Sequence, residues 1–220
     1  MVNYLPLAML AGAYLLGSVP FGLLIGKCYG IDIRKVGSCN IGATNVTRTV
    51  GKWQGKLCFF LDFLKGALPT AASVFFVYPE NPWMALGMGG FAILGHMFPL
   101  YLKFKGGKGI STAAGAALVL APYPLIMALI SWIVVFKISR FVSLASIFAS
   151  AMLPVLALFC GRLGVGNAIS LSWQIQLFFI IIGIVAVARH HANIKRLLEG
   201  TENRFEKKSR RKINENLRFE

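Results

Sequence analysis

Seven apolar runs, at about 4–26, 57–78, 83–102, 110–121, 124–136, 142–160 and 174–188, recur along nearly the whole chain. An α-helix needs roughly 20 apolar residues to cross the ~30 Å hydrocarbon core of a bilayer, and it satisfies its backbone hydrogen bonds internally while doing so. With 56% hydrophobic and only 14% charged residues, the 220-residue chain does not have the composition of a water-soluble domain. The expected fold is therefore an all-α membrane protein of about seven transmembrane helices, several of them short. Residues 4–26 lack a basic leading region and a small-residue cleavage site, so the first run is expected to stay with the protein.

Charge placement orients the helices. One set of loops carries Lys27, Arg34, Lys35, Arg48, Lys52 and Lys56, then Lys103, Lys105 and Lys108, then Lys137, Arg140 and the tail. The opposite set carries only Arg162 and Glu80. By the positive-inside rule the N-terminus is outside and the C-terminus cytoplasmic. Joining 110–136 into one helix would strand Lys137, Arg140 and the tail outside, and Ala121-Pro122-Tyr123-Pro124 reads as a turn, so seven segments fit better than six. The expected organisation is one integral membrane domain over residues 1–202 and a basic cytoplasmic tail over 203–220, which contains Lys207-Lys208-Ser209-Arg210-Arg211-Lys212. On a membrane protein, a net charge of +15 points to anionic lipid or an anionic substrate rather than to nucleic acid. Cys28, Cys39, Cys58 and Cys160 show neither metal-ligand spacing nor a disulfide framework and are expected to be free thiols.

The unusual polar stretches fall on a single predicted face. Residues 37–48 combine Gly37 and Gly42 with Ser38, Asn40, Thr44, Asn45 and Thr47, and they end on the permanent cation Arg48. A small-residue loop leading into a short helix leaves backbone N–H groups available to an anion, although a solvated loop with a capped helix reads equally well. Lys105-Gly106-Gly107-Lys108-Gly109, running straight into a helix at Ile110, has the composition of a phosphate cradle without the spacing of a Walker loop. In the third stretch His190 and Asn193 share a helix face, with Arg189 and Arg196 beside them, while His191 points elsewhere. Asp62 and Lys65, three apart in the second apolar run, are expected to pair and to support the site.

Missing features exclude several chemistries. No His is followed by an acid at the spacing of the His-x4-Asp acyltransferases, no aspartate cluster could hold Mg²⁺, and no Gly-x-Ser-x-Gly elbow is present. Zinc would lack its third and fourth ligands, so no metal and no cofactor is expected. What remains is a set of cationic cradles without a strong base. That suits phosphorylated substrates whose leaving group is already activated.

Taken together, Gly17-Ser18-Val19-Pro20, Asp32-Ile33-Arg34, residues 37–48, Asp62 with Lys65-Gly66, Gly95-His96, Phe98-Pro99, residues 104–109 and Arg189-His190 with Asn193 resemble the bacterial acyl-phosphate-dependent glycerol-3-phosphate acyltransferases. The resemblance runs from about Leu16 to Glu202. It implies transfer of a fatty acyl group from acyl phosphate to the 1-hydroxyl of glycerol 3-phosphate, giving lysophosphatidic acid and inorganic phosphate. The protein would act as a monomer in the bacterial cytoplasmic (inner) membrane, with its site facing the cytoplasm and the bilayer lipid as its surroundings. Carried over by motif, the catalytic candidates are Ser38, His190 and Asn193. The substrate-binding candidates are Ser38, Asn40, Thr44, Asn45, Arg48, Lys105, Gly106, Gly107, Lys108, Gly109, His190 and Asn193. The proton would go to the substrate's own phosphate. The chain departs from the family pattern at Cys39, where Gly is usual, and at Ser111, where Ala is common. The reading from another class is a carrier or channel for phosphorylated organic anions, which would require polar groups along a path to the outer face.

Overall fold

A computed structural model describes residues 4–77, 81–166 and 172–205. Glu80 and the basic run from Lys207 to Lys212, both used above to orient the chain, lie outside the described residues. Ten α-helices and no strand occur among the described residues. Helices α1 (Leu5–Ser18) and α2 (Phe21–Cys28) are parted by Val19-Pro20. Helix α3 (Ala43–Thr49) is short, and α4 (Lys52–Ala72) widens into a π-helical turn at Ser73–Val77. Helix α5 (Pro82–Met97) leads through a 3-10 turn to the glycine loop. Then follow α6 (Ile110–Leu120), α7 (Pro122–Ser139), α8 (Val142–Arg162), α9 (Trp173–Ala188) and α10 (His191–Leu198).

Each apolar run is largely helical over its described residues, but not all are long enough to span. Five stretches have the length and apolarity to cross a membrane: Leu5–Cys28, Lys52–Val77, Pro82–Leu102, Pro122–Ser139 and Val142–Arg162. A sixth arises if α9 and α10, bent by 53° at their junction, are taken together. Helix α6 has 11 residues, which at 1.5 Å each is about half the thickness of the hydrocarbon core. It follows the glycine loop directly and ends where Pro122 opens α7, since proline suits a first helical turn but cannot continue one.

The bundle excludes bulk where α4 crosses α6. A Cβ on Gly66 would meet the Thr112 carbonyl oxygen at 2.0 Å, and one on Gly115 would meet that of Phe63 at 2.0 Å. The two backbones are therefore in contact, the arrangement small residues give inside membranes. Farther along, Leu86, Leu120, Leu153, Ile175 and Phe179 close one apolar core. Phe76, Ile138, Leu7 and Ile184 instead point outward from their helices, as a lipid-facing surface requires.

One buried side chain sets the loop before α3. Asn45 accepts from the backbone N–H of Ser38 at 2.8 Å and donates to the carbonyls of Ile33, Asn40 and Val36 at 2.8, 2.9 and 3.1 Å. Both amide hydrogens and one lone pair of the amide oxygen are spent on the chain itself. Within that loop Gly37 has φ +63° and Cys39 φ +56°, so Cys39 is a left-handed residue with a Cβ. That conformation costs an L-residue about 1–2 kcal/mol, while glycine gives back about 0.5–1 kcal/mol in chain entropy. Cys39→Gly should therefore stabilise the protein by up to about 1 kcal/mol, read as a rise in Tm in detergent; a lower Tm would contradict the strain assignment.

Candidate active site

A cavity of about 410 Å³ runs from the loop end of the bundle into its apolar interior. Its polar end is lined by Ser38, Arg48, Lys108, His190, Asn193 and Glu202, so three stretches far apart in sequence meet at one place. Its apolar arm passes between Leu125, Leu129 and Trp132 of α7, Ala149 and Leu153 of α8, and Ile182 of α9. Small residues on α8 make the room: Ser143, Ser146, Ala149 and Ser150 fall on one helix face and line the arm. The Trp132 indole donates to the Ser146 hydroxyl at 3.1 Å, which leaves an apolar ring face toward the arm without an orphaned N–H.

The polar end is organised by a carboxylate. Glu202 accepts from the Asn193 amide at 2.7 Å and the Ser143 hydroxyl at 2.8 Å through one oxygen, and from Arg196 at 2.7 Å through the other. The Asn193 amide oxygen in turn accepts from the Lys108 ammonium. Asn193 thus turns its two ends to two charges and links the lysine to the acid. Burial pushes the Glu202 carboxyl up, but the hydrogen bonds from Asn193, Ser143 and Arg196 outweigh it and hold the group below the usual carboxylate range. Burial, reinforced by Arg196, Arg48 and Arg189 and opposed by Glu202, lowers the Lys108 ammonium to about 8. His190, 2% exposed, places Nδ1 at 2.8 Å from the Ala186 carbonyl oxygen. A carbonyl only accepts, so Nδ1 carries the hydrogen and Nε2 is left as an acceptor in the neutral ring. His191 is exposed.

Not every sequence candidate reaches the cavity wall. Lys105, Gly106 and Gly107 are absent from the cavity wall, where only Lys108 and Gly109 of that loop appear. Packing by itself requires glycine at 106 and 107: a Cβ would meet the His96 carbonyl oxygen at 2.2 Å or the His96 ring at 2.1 Å. Arg189 then clasps the loop, donating to the Gly107 and Gly106 carbonyls at 2.8 and 3.2 Å while lying over the Phe98 ring at 5.2 Å. These contacts leave Lys105 exposed and turn Lys108 inward. Asn45 touches the cavity but commits both amide hydrogens to the loop, and the Asn40 side-chain oxygen accepts from the Gly42 N–H at 2.9 Å. Thr44 lines the wall from the first turn of α3.

Asp62 and Lys65 do pair, at 2.7 Å, with both side chains 2% exposed. Lys65 also donates at 2.9 Å to the Val19 carbonyl, which accepts from the Phe21 N–H as well, at the break between α1 and α2. His96 and Asp62 contribute to the deep wall of the cavity. Glu202 is the residue that sequence reasoning missed. Its only signal is that it is one of two acids, with Glu199, in a stretch that also holds Arg189, Lys195 and Arg196. No group of three or more His, Cys, Asp or Glu able to hold a metal ion occurs among the described residues. The four cysteines are unpaired thiols, two of them buried.

The arrangement is a cationic pocket that opens into an apolar slot. The family described as Glycerol-3-phosphate acyltransferase matches residues 7–200. The chain is 44% identical over 198 residues to the Glycerol-3-phosphate acyltransferase of Trichlorobacter lovleyi, covering 89% of this chain and 95% of that protein. To the protein of the same name from Aquifex aeolicus it is 42% identical over 195 residues, covering 88% and 95%. It superimposes on the crystal structure of PlsY, an integral membrane glycerol 3-phosphate acyltransferase, in its glycerol 3-phosphate form with a TM-score of 0.82 at 41% identity, covering 91% and 96% of the two chains. The lysophosphatidic acid form of PlsY gives a TM-score of 0.79 at 40% identity, covering 91% and 95%. The chain belongs to the glycerol-3-phosphate acyltransferase family of integral membrane proteins.

Proposed function

We propose that the donor is an acyl phosphate and the product lysophosphatidic acid. The observation that carries this reading is that one cavity joins a cationic end to an apolar arm. In this reading the acyl chain lies in the arm between α7, α8 and α9, and the two phosphates share the polar end. Arg48 and Ser38 hold the phosphate of glycerol 3-phosphate, and Lys108 holds the phosphoryl group of the donor. The neutral Nε2 of His190 accepts a hydrogen bond from the 1-hydroxyl and orients it toward the acyl carbon. Asn193 keeps Lys108 and Glu202 in register and acts by positioning.

The reaction then needs little from the protein as a base. The 1-hydroxyl oxygen forms a bond to the acyl carbon, the carbon–oxygen bond to phosphate breaks, and the hydroxyl proton leaves on that phosphate. The products are the ester and inorganic phosphate. A mixed anhydride has a good leaving group, and Lys108 stabilises the charge that grows on it. Loop charges further support a topology with seven membrane-embedded segments, α6 entering only part way, the N-terminus outside, and the polar end at the cytoplasmic face of the bacterial inner membrane. Residues 1–202 make the enzyme domain in this reading.

Purified protein in detergent, supplied with glycerol 3-phosphate and palmitoyl phosphate, should release lysophosphatidic acid and phosphate in equal amounts. Turnover with palmitoyl thioesters and none with the phosphate would contradict the donor assignment. Arg48→Ala and Lys108→Ala should each lower kcat/KM about ten- to hundredfold, the effect of losing one charge-assisted contact worth about 1.5–3 kcal/mol. Free Lys108 loses its proton near pH 8, so kcat/KM should fall as pH rises through that value, since this ratio reports the free enzyme. In Lys108→Arg, which stays charged, that limb should disappear; an unmoved limb would assign the ionisation to another group.

A further inference from the structure

The last described residues form a strap that lies outside the region matched by the family, which ends at residue 200. The strap is fastened to the C-terminal end of α7, where helix carbonyls lack partners. The Phe205 N–H donates to the Arg140 carbonyl at 3.0 Å, and the Arg204 guanidinium donates to that of Ser139 at 3.1 Å. Arg140 has φ +66°, which ends the helix and turns its carbonyl to the strap. A cation at this end also complements the helix dipole. Arg204 lies over the Phe141 ring at 5.6 Å, and the Phe205 ring meets Phe136 edge-on with centroids 5.9 Å apart.

From that anchorage the strap reaches across to α3. The Asn203 carbonyl accepts from Arg48 at 3.1 Å, and the Phe205 ring lies 5.0 Å below the same guanidinium. Arg48 is therefore held at one nitrogen and on one face. It makes this single hydrogen bond among the described residues, and the rest of its five N–H donors remain for an anion. A long arginine standing alone at a pocket mouth would sample many rotamers and lose that freedom on binding. An aromatic face fixes the plane of the guanidinium without consuming its donors.

We propose that Phe205, with the Asn203 carbonyl, is a positioning device for Arg48. It pre-orders the guanidinium for the phosphate of glycerol 3-phosphate and ties that affinity to the docking of the strap on α7. This inference rests on the reading of Arg48 as the glycerol 3-phosphate ligand and is independent of which acyl donor is used. It makes residues just beyond the family core determinants of acceptor affinity.

The test is a set of three full-length variants, Phe205→Ala, Phe205→Leu and Phe205→Tyr, measured for the KM of each substrate, for Tm, and for glycerol 3-phosphate Kd by calorimetry. Leucine keeps apolar packing on Phe136 but offers no ring to the cation, so it separates positioning from folding. The expected result is a rise of about three- to tenfold in KM and Kd for glycerol 3-phosphate in the Ala and Leu variants, the range that ordering one long side chain carries. The KM for acyl phosphate and the Tm of the Leu variant should stay at wild-type values, and Phe205→Tyr should restore acceptor affinity. Unchanged acceptor Kd in Phe205→Leu, or an equal rise in both KM values, would overturn the proposal. Calorimetry on Arg48→Ala separates the two: an unchanged acceptor Kd there would mean that the reading of Arg48 has failed, whereas weakened binding in Arg48→Ala beside an unchanged Phe205→Leu would overturn the positioning role alone.

Discussion

The polar end of the cavity depends on one carboxylate. Arg48, Lys108 and Arg196 stand near a half-dry pocket at the end of an apolar bundle, and Glu202 is the acid placed among them. Unpaired charges in such surroundings are costly, and a buried lysine answers by losing its proton. Glu202 counters both effects, binding Arg196 directly and Lys108 through Asn193. It leaves the cluster with surplus positive charge, which is the condition for receiving phosphate. The same oxygen that takes Asn193 also takes Ser143 of α8, so the network joins the cationic loops to the wall of the apolar arm.

Rigid and lipid-facing parts of the bundle have different tasks around this network. Backbone contact between α4 and α6 fixes the start of α6, and with it the turn at Gly109 that presents Lys108. The Arg189 clasp and the His96 ring set the glycine loop from the other side. Helix α7 is little buried. It forms the outer wall of the arm, where a hydrocarbon chain can meet both the protein and the bilayer. A cationic end on braced loops and an apolar arm between helices thus follow from two packing regimes in one small bundle.

Much of this is legible in the sequence, because hydropathy reports local segments. All seven apolar runs are largely helical over their described residues, and the turn at Ala121-Pro122 is where proline chemistry places it. Ser38, Arg48, Lys108, His190 and Asn193 do converge. Span count is less legible, since α6 is apolar yet only 11 residues long. Composition does not report the close approach of His96 that requires glycine at 106 and 107, nor that the Asn45 amide turns inward to shape a loop. Glu202 and the strap were illegible for a different reason. Their partners lie on α3, α7, α8 and α10, and no periodicity or spacing along the chain encodes contacts between residues as far apart as Arg48 and Asn203.

The central claim is that one cavity takes a phosphate at its cationic end and an acyl chain in its arm. A crystal structure of this protein with bound lysophosphatidic acid tests it most directly. The phosphate should lie within hydrogen-bond distance of Arg48 or Lys108 and the chain between Leu129, Trp132, Leu153 and Ile182. A phosphate bound instead at exposed Lys103 or Lys105, with the chain on the outer surface of α1 or α4, would contradict it.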